Sequence, residues 1–74
     1  MIKVEEGLYL YKGIYVKKLD NGMLIARFYV NSISGMCTIS AATEQVFKKV
    51  FDKFVRQNKG LNIERYQKSM LMRG

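Results

Sequence analysis

The stretch Ile14-Tyr15-Val16-Lys17-Lys18-Leu19-Asp20-Asn21-Gly22-Met23-Leu24-Ile25-Ala26-Arg27-Phe28-Tyr29-Val30 decides the fold. Two runs rich in β-branched and aromatic residues flank an Asp-Asn-Gly turn, the pattern of a hairpin. Two registers compete. A two-residue turn at Asn21-Gly22 pairs Asp20 with Met23, whereas a three-residue loop with a left-handed Gly22 pairs Leu19 with Met23. A shift of this kind exchanges the faces of a strand. Only the three-residue loop sorts the residues, with Leu8, Leu10, Ile14, Val16, Leu24, Ala26, Phe28 and Val30 on one face, and Lys12 and Lys18 as its polar members. The other face then carries Tyr9, Tyr11, Tyr15, Lys17, Leu19, Met23, Ile25, Arg27 and Tyr29.

Upstream, Gly13 marks either a bend in one long strand or a tight hairpin at Lys12-Gly13. The even-numbered apolar positions run through it unbroken, which favours the continuous strand. Downstream, Asn31-Ser32-Ile33-Ser34-Gly35 reads as a loop and Met36-Cys37-Thr38-Ile39 as a third short strand. Ser40, with Thr43 as competitor, can cap a helix in which Val46, Phe47, Val50, Phe51, Phe54 and Val55 form one apolar stripe. Gly60 is its natural stop. Beyond it Ile63, Tyr66 and Met70 have the spacing of a short helix, with Asn62 as its cap.

The expected architecture is therefore α+β: a three-stranded antiparallel β-meander packed on one amphipathic α-helix, with a short C-terminal helix or tail. We expect one domain over residues 1–74, with the sheet in 7–40, the helix in 41–58 and the tail in 61–74. The chain has 74 residues, 49% of them hydrophobic, and a chain this short buries only about 60% of its unfolded surface, so its stability is marginal unless it associates.

Composition narrows the chemistry. Histidine is absent and Cys37 is the only cysteine, so an internal disulfide and the familiar histidine-based zinc and triad sites are excluded within one chain. We expect no cofactor, no metal and no catalysis, and read Cys37 as a small core hydrophobe. An unpaired thiol suits a reducing, cytoplasmic setting. No apolar run reaches the roughly 18 residues of a membrane span, and the N-terminus lacks the order of a signal peptide. The six glycines never cluster into a phosphate loop.

Thirteen Lys and Arg against six Asp and Glu give a net charge of +7, a field that attracts polyanions. Tyr9, Tyr11, Tyr15 and Tyr29 interleaved with Lys17 and Arg27 suggest a sheet face on which bases stack and phosphates are neutralised. Lys48, Lys49, Lys53 and Arg56 add a cationic helix side. The plain alternatives are a solvated sheet face and a helix side stabilised by the i to i+4 pairs Glu44–Lys48 and Asp52–Arg56.

Three strands followed by a helix resemble the small sheet-reading DNA-binding domains of tyrosine integrases and of a class of plant transcription regulators. That resemblance implies a sheet entering the major groove, with Arg27 and the tyrosine face in the reading position. The chain departs from it in having no tryptophan and one arginine in its strands. The expected function is nucleic-acid binding, most readily of DNA, by an accessory or regulatory protein. The alternative is a protein-interaction module, self-associating or not, that uses Leu19, Met23, Ile25 and Tyr29 or the Met-rich tail. Attachment to a membrane surface ranks last, because the helix stripe is needed to cover the sheet.

Overall fold

The computed structural model describes residues 1–30, 35–60 and 62–73. The predicted loop at 31–34 lies outside them. The chain is α+β, with an antiparallel sheet and one main helix. Among the described residues the sheet has six strands where three were expected: β1 (Ile2–Glu5), β2 (Leu8–Tyr11), β3 (Ile14–Lys18), β4 (Leu24–Val30), β5 (Gly35–Ala41) and β6 (Ile63–Arg65). Helix α1 (Glu44–Gln57) connects β5 to β6, and α2 (Lys68–Arg73) ends the chain. Strands β1 to β5 follow one another across the sheet, and β6 returns to pair with β4.

The Asp20-Asn21-Gly22 loop takes the three-residue form. Lys18 pairs with Leu24, Leu19 N–H donates to Met23 O at 2.8 Å, and Gly22 has φ +90°. Asn21 closes the loop from within, its Oδ1 accepting from Met23 N–H at 3.0 Å. Ala26 and Phe28 are consequently buried while Arg27 and Tyr29 point to the other face.

The expectation of a continuous strand through Gly13 is corrected. Lys12 (φ +48°) and Gly13 (φ +88°) form a two-residue turn, with both residues at the positive φ that a type I′ hairpin demands. Tyr11 pairs with Ile14, Tyr9 with Val16 and Leu8 with Lys17. A turn centred between residues 12 and 13 inverts the parity of β2. Tyr9 and Tyr11 therefore join Ile14 and Val16 on one face, and Leu8 goes to the other. Arg65 braces this hairpin by donating from Nε to Gly13 O at 2.9 Å.

The first face carries the main core, where Ile14, Val16, Leu24, Ala26, Phe28, Ile39 and Ala41 meet Phe47 and Phe51 of α1. Phe28 and Phe51 pack edge to face at 5.7 Å, and burying each such side chain contributes about 1.5–3 kcal/mol. Cys37 is half-buried against this cluster. Thr43, not Ser40, caps α1, its Oγ1 accepting from Val46 N–H at 3.2 Å. The stripe is narrower than its spacing suggests, since Val46, Val50 and Val55 remain exposed.

The second face has its own small core of Leu8, Tyr66 and Leu71, with Tyr15, Tyr29 and Met72 against it. The C-terminal expectation is corrected here as well. Residues Ile63–Arg65 are strand, the helix starts only at Lys68, and its buried residue is Leu71 rather than Met70. Sheet pairing took these residues because β3 covers β4 only from Leu24 to Ala26, leaving Phe28, Tyr29 and Val30 to β6.

Candidate nucleic-acid interface

Strand alternation puts Tyr15 and Lys17 of β3, Ile25, Arg27 and Tyr29 of β4, and Thr38 and Ser40 of β5 on the second face. This face divides in two. Tyr15 and Tyr29 lie half-buried beneath the C-terminal segment, with Tyr29 and Tyr66 ring centroids 5.4 Å apart. Lys17, Leu19, Ile25, Arg27 and Leu71 line an open depression of about 130 Å³. Thr38 stands directly opposite Arg27 and Ser40 opposite Ile25, both exposed.

Arg27 gives this depression its character. Its Nε is buried and has no hydrogen-bond partner among the described residues. A buried donor left in that state costs about 1–3 kcal/mol. Lys17, two strand positions from Arg27 in the β3–β4 register, has no carboxylate within ion-pair distance among the described residues.

Four of the six acidic residues pair with cations elsewhere. Lys3 pairs with Glu6 at 2.9 Å, Lys12 with Asp52 at 2.8 Å, Lys48 with Glu44 at 3.5 Å and Lys68 with Glu5 at 2.6 Å. Asp52 is the best supported of them. The Lys12 ammonium, hydrogen-bonded to it, holds its carboxyl below the ordinary aspartate value against partial desolvation, and the Tyr11 hydroxyl adds to the effect. The same contact raises Lys12. Glu44 is lowered chiefly by the charge of Lys48.

The ten residues singled out in the sequence do not form one surface. Tyr9 and Tyr11 belong to the helix-covered face, where Tyr11 packs edge-on to Phe51 at 5.7 Å and donates its hydroxyl to Asp52 Oδ1 at 3.0 Å. Tyr15 and Tyr29 share the second face but sit against the C-terminal segment, with the Arg65 guanidinium over the Tyr15 ring at 5.2 Å. Lys17 and Arg27 alone share the open depression. Lys48 turns toward Glu44 and the Tyr11 ring. Lys49, Lys53 and Arg56 lie exposed on α1, on the opposite side of the sheet from Arg27. In place of the expected platform of four tyrosines, the face has a depression in which Lys17 and Arg27 stand beside Leu19, Ile25 and Leu71.

Leu71 and Tyr66 were missed as shapers of this face. The tail offered a signal for them in Tyr66 and Leu71 at i and i+5, which a strand followed by one helical turn can place together, but that spacing matches no single periodic element. Among the described residues no His, Cys, Asp and Glu group could hold a metal ion, and no helix is long and apolar enough to cross a membrane.

The fold and patch define a small basic α+β protein with an antiparallel sheet covered by a helix on each side. Comparison with protein-family models, with curated proteins and with solved structures finds no match to any of them. The likeness to sheet-reading DNA-binding domains also loses its basis, because among the described residues five strands, not three, precede the main helix.

Proposed function

We propose that this protein binds nucleic acid through phosphate contacts at the Lys17–Arg27 patch, in a non-catalytic accessory or regulatory role. The observation that carries the reading is Arg27 itself, a half-exposed cation on the second sheet face with no acidic neighbour within pairing distance among the described residues. A phosphate can pair with the solvent-exposed end of the guanidinium, whose planar fork suits it better than an ammonium does. Lys17 adds a second charge, and the Thr38 and Ser40 hydroxyls are donors of the kind that fix a backbone in register.

This reading rests on phosphate contact rather than ring stacking, since Tyr15 and Tyr29 are half-buried against other side chains. Lys49, Lys53 and Arg56 face the other way and contribute to the long-range field that draws a polyanion in. Contacts of this kind carry little base information, so the binding is sequence-tolerant.

The test is fluorescence-anisotropy titration of labelled single-stranded and duplex DNA and RNA at two salt concentrations. Affinity should fall steeply with salt, and Lys17→Gln or Arg27→Gln should each flatten the salt slope by about one. Paired replacement of Lys49 and Lys53 should weaken binding less than either sheet variant. Absence of binding at low salt, or affinity indifferent to salt, refutes the proposal.

A further inference from the structure

The depression that holds Lys17 and Arg27 has an apolar interior, which phosphate contact alone leaves unused. Leu19, Ile25 and Leu71 make up the rest of its lining. Ile25 stands directly opposite Lys17 in the β3–β4 register, and Leu19 is held beside it by its backbone bond to Met23 across the loop. Leu71, from α2, is 3% exposed and anchored in the second core with Leu8 and Tyr66. The fold therefore fixes these three side chains before any ligand arrives, as is usual for a binding site.

Size and charge together describe what fits. A space of about 130 Å³ is close to the apolar cavity of about 150 Å³ that holds one benzene ring. It takes a single six-membered ring, and a fused pair of rings projects from it. Lys17 and Arg27 are diagonal neighbours on adjacent strands, a relation that separates two residues by about 7–8 Å. Successive phosphates of one extended strand follow each other on that scale. A flat ring between two phosphates is an unpaired pyrimidine nucleotide. In a duplex the bases are paired and stacked inside, so sugars and phosphates would face the aliphatic side chains, which gain nothing from them.

We infer that the depression is a subsite for one unpaired pyrimidine base, with the phosphates on either side of that nucleotide at Lys17 and Arg27, so that the ligand of this face is single-stranded nucleic acid. The inference rests on the proposed phosphate contact and adds a base to it. The base replaces water against Leu19, Ile25 and Leu71, while its polar edge stays at the open mouth. Sequence-specific recognition of single strands works on bases splayed out in this way, usually against aromatic rings. Aliphatic walls sense the size of a base and not its hydrogen-bonding edge. Binding therefore stays sequence-tolerant apart from a preference for pyrimidine over purine.

Anisotropy titrations at low salt with oligothymidine, oligodeoxyadenosine, a duplex and an abasic oligomer of the same length and charge separate base from phosphate. Oligothymidine should bind about ten-fold more tightly than the abasic oligomer, and more tightly than the adenosine oligomer or the duplex. Leu19→Ala should lower the affinity for oligothymidine more than that for the abasic oligomer, and narrow the margin of thymidine over adenosine. Lys17→Gln should weaken all of them. Should Leu19→Ala not fold, methyl NMR of the unaltered chain decides. The ring current of a seated base must shift the Leu19, Ile25 and Leu71 methyl signals with oligothymidine and leave them in place with the abasic oligomer. Salt-sensitive binding with equal affinity for thymidine and abasic oligomers, a preference for duplex, or methyl signals indifferent to the base refutes the subsite and leaves the phosphate reading standing. Failure of every polyanion to bind, the abasic oligomer included, refutes both, as does capture of an acidic leucine-containing peptide in preference to all of them.

Discussion

Replacing Arg27 by methionine should stabilise the protein and weaken its binding of polyanions. The buried Nε of Arg27 lacks a partner, and such a donor costs about 1–3 kcal/mol. Because the residue as a whole is half-exposed, solvent reaches the rest of the guanidinium, and the lower end, about 1 kcal/mol, applies. Methionine keeps the aliphatic stem against the sheet and removes the donor. It also removes repulsion from Lys17, worth a few tenths of a kcal/mol at moderate salt for partly exposed charges. For a domain of this size, 1 kcal/mol corresponds to roughly 4–8 °C in Tm. Thermal melts followed by circular dichroism measure the shift, and two companion variants separate its causes. Arg27→Lys removes the orphan Nε but keeps the charge, so most of the gain should remain. Lys17→Met removes the repulsion alone and should raise Tm only slightly. A fall in Tm on Arg27→Met would show that the guanidinium serves the fold, and would remove the reason for assigning it to a ligand.

Two further outcomes bear on the supports of this face and of the helix. Leu71 is 3% exposed, and Leu71→Ala should cost about 2–5 kcal/mol of the stability with which the C-terminal segment holds the sheet. Hydrogen exchange should then speed up in β6 and α2 while α1 keeps its protection, and uniform loss across both would show that the two cores are one cooperative unit. The Lys12–Asp52 contact holds the Asp52 carboxyl below its ordinary value near 3.8. Its contribution is therefore complete above that value and disappears as the pH falls through the lowered one. Asp52→Asn should make urea unfolding less sensitive to acid below about pH 4. Equal acid sensitivity in both proteins would show that the ion pair does not persist in solution.

The parts legible in sequence were those decided by local chemistry. Asp20-Asn21-Gly22 carries the residues that its loop type requires, and the loop set the register of β3 against β4 and with it the inward position of Ala26 and Phe28. The phenylalanines of α1 similarly declared the buried side of the helix. Lys12-Gly13 was less transparent because lysine is an uncommon residue at positive φ. The apolar residues at even positions on either side of Lys12 also imitate one long strand. That single ambiguity inverted β2 and carried Tyr9 and Tyr11 out of the supposed binding face.

The tail was misread for a different physical reason. Three residues of strand have no periodicity of their own, and β6 exists because β3 leaves half of one side of β4 unpaired, a demand made by hydrogen bonding far away in the sequence. Its arrival in turn delivers Tyr66 and Leu71 onto Tyr15, Tyr29 and Leu8, giving the second face a core that no local pattern announces. The tyrosines of that face therefore have a structural occupation. What remains open beside them is a depression at the border of the C-terminal segment, where Lys17 and Arg27 stand among Leu19, Ile25 and Leu71. Two half-exposed cations with no carboxylate in pairing distance among the described residues make a stronger case for a phosphate ligand than a row of aromatic rings that already have neighbours.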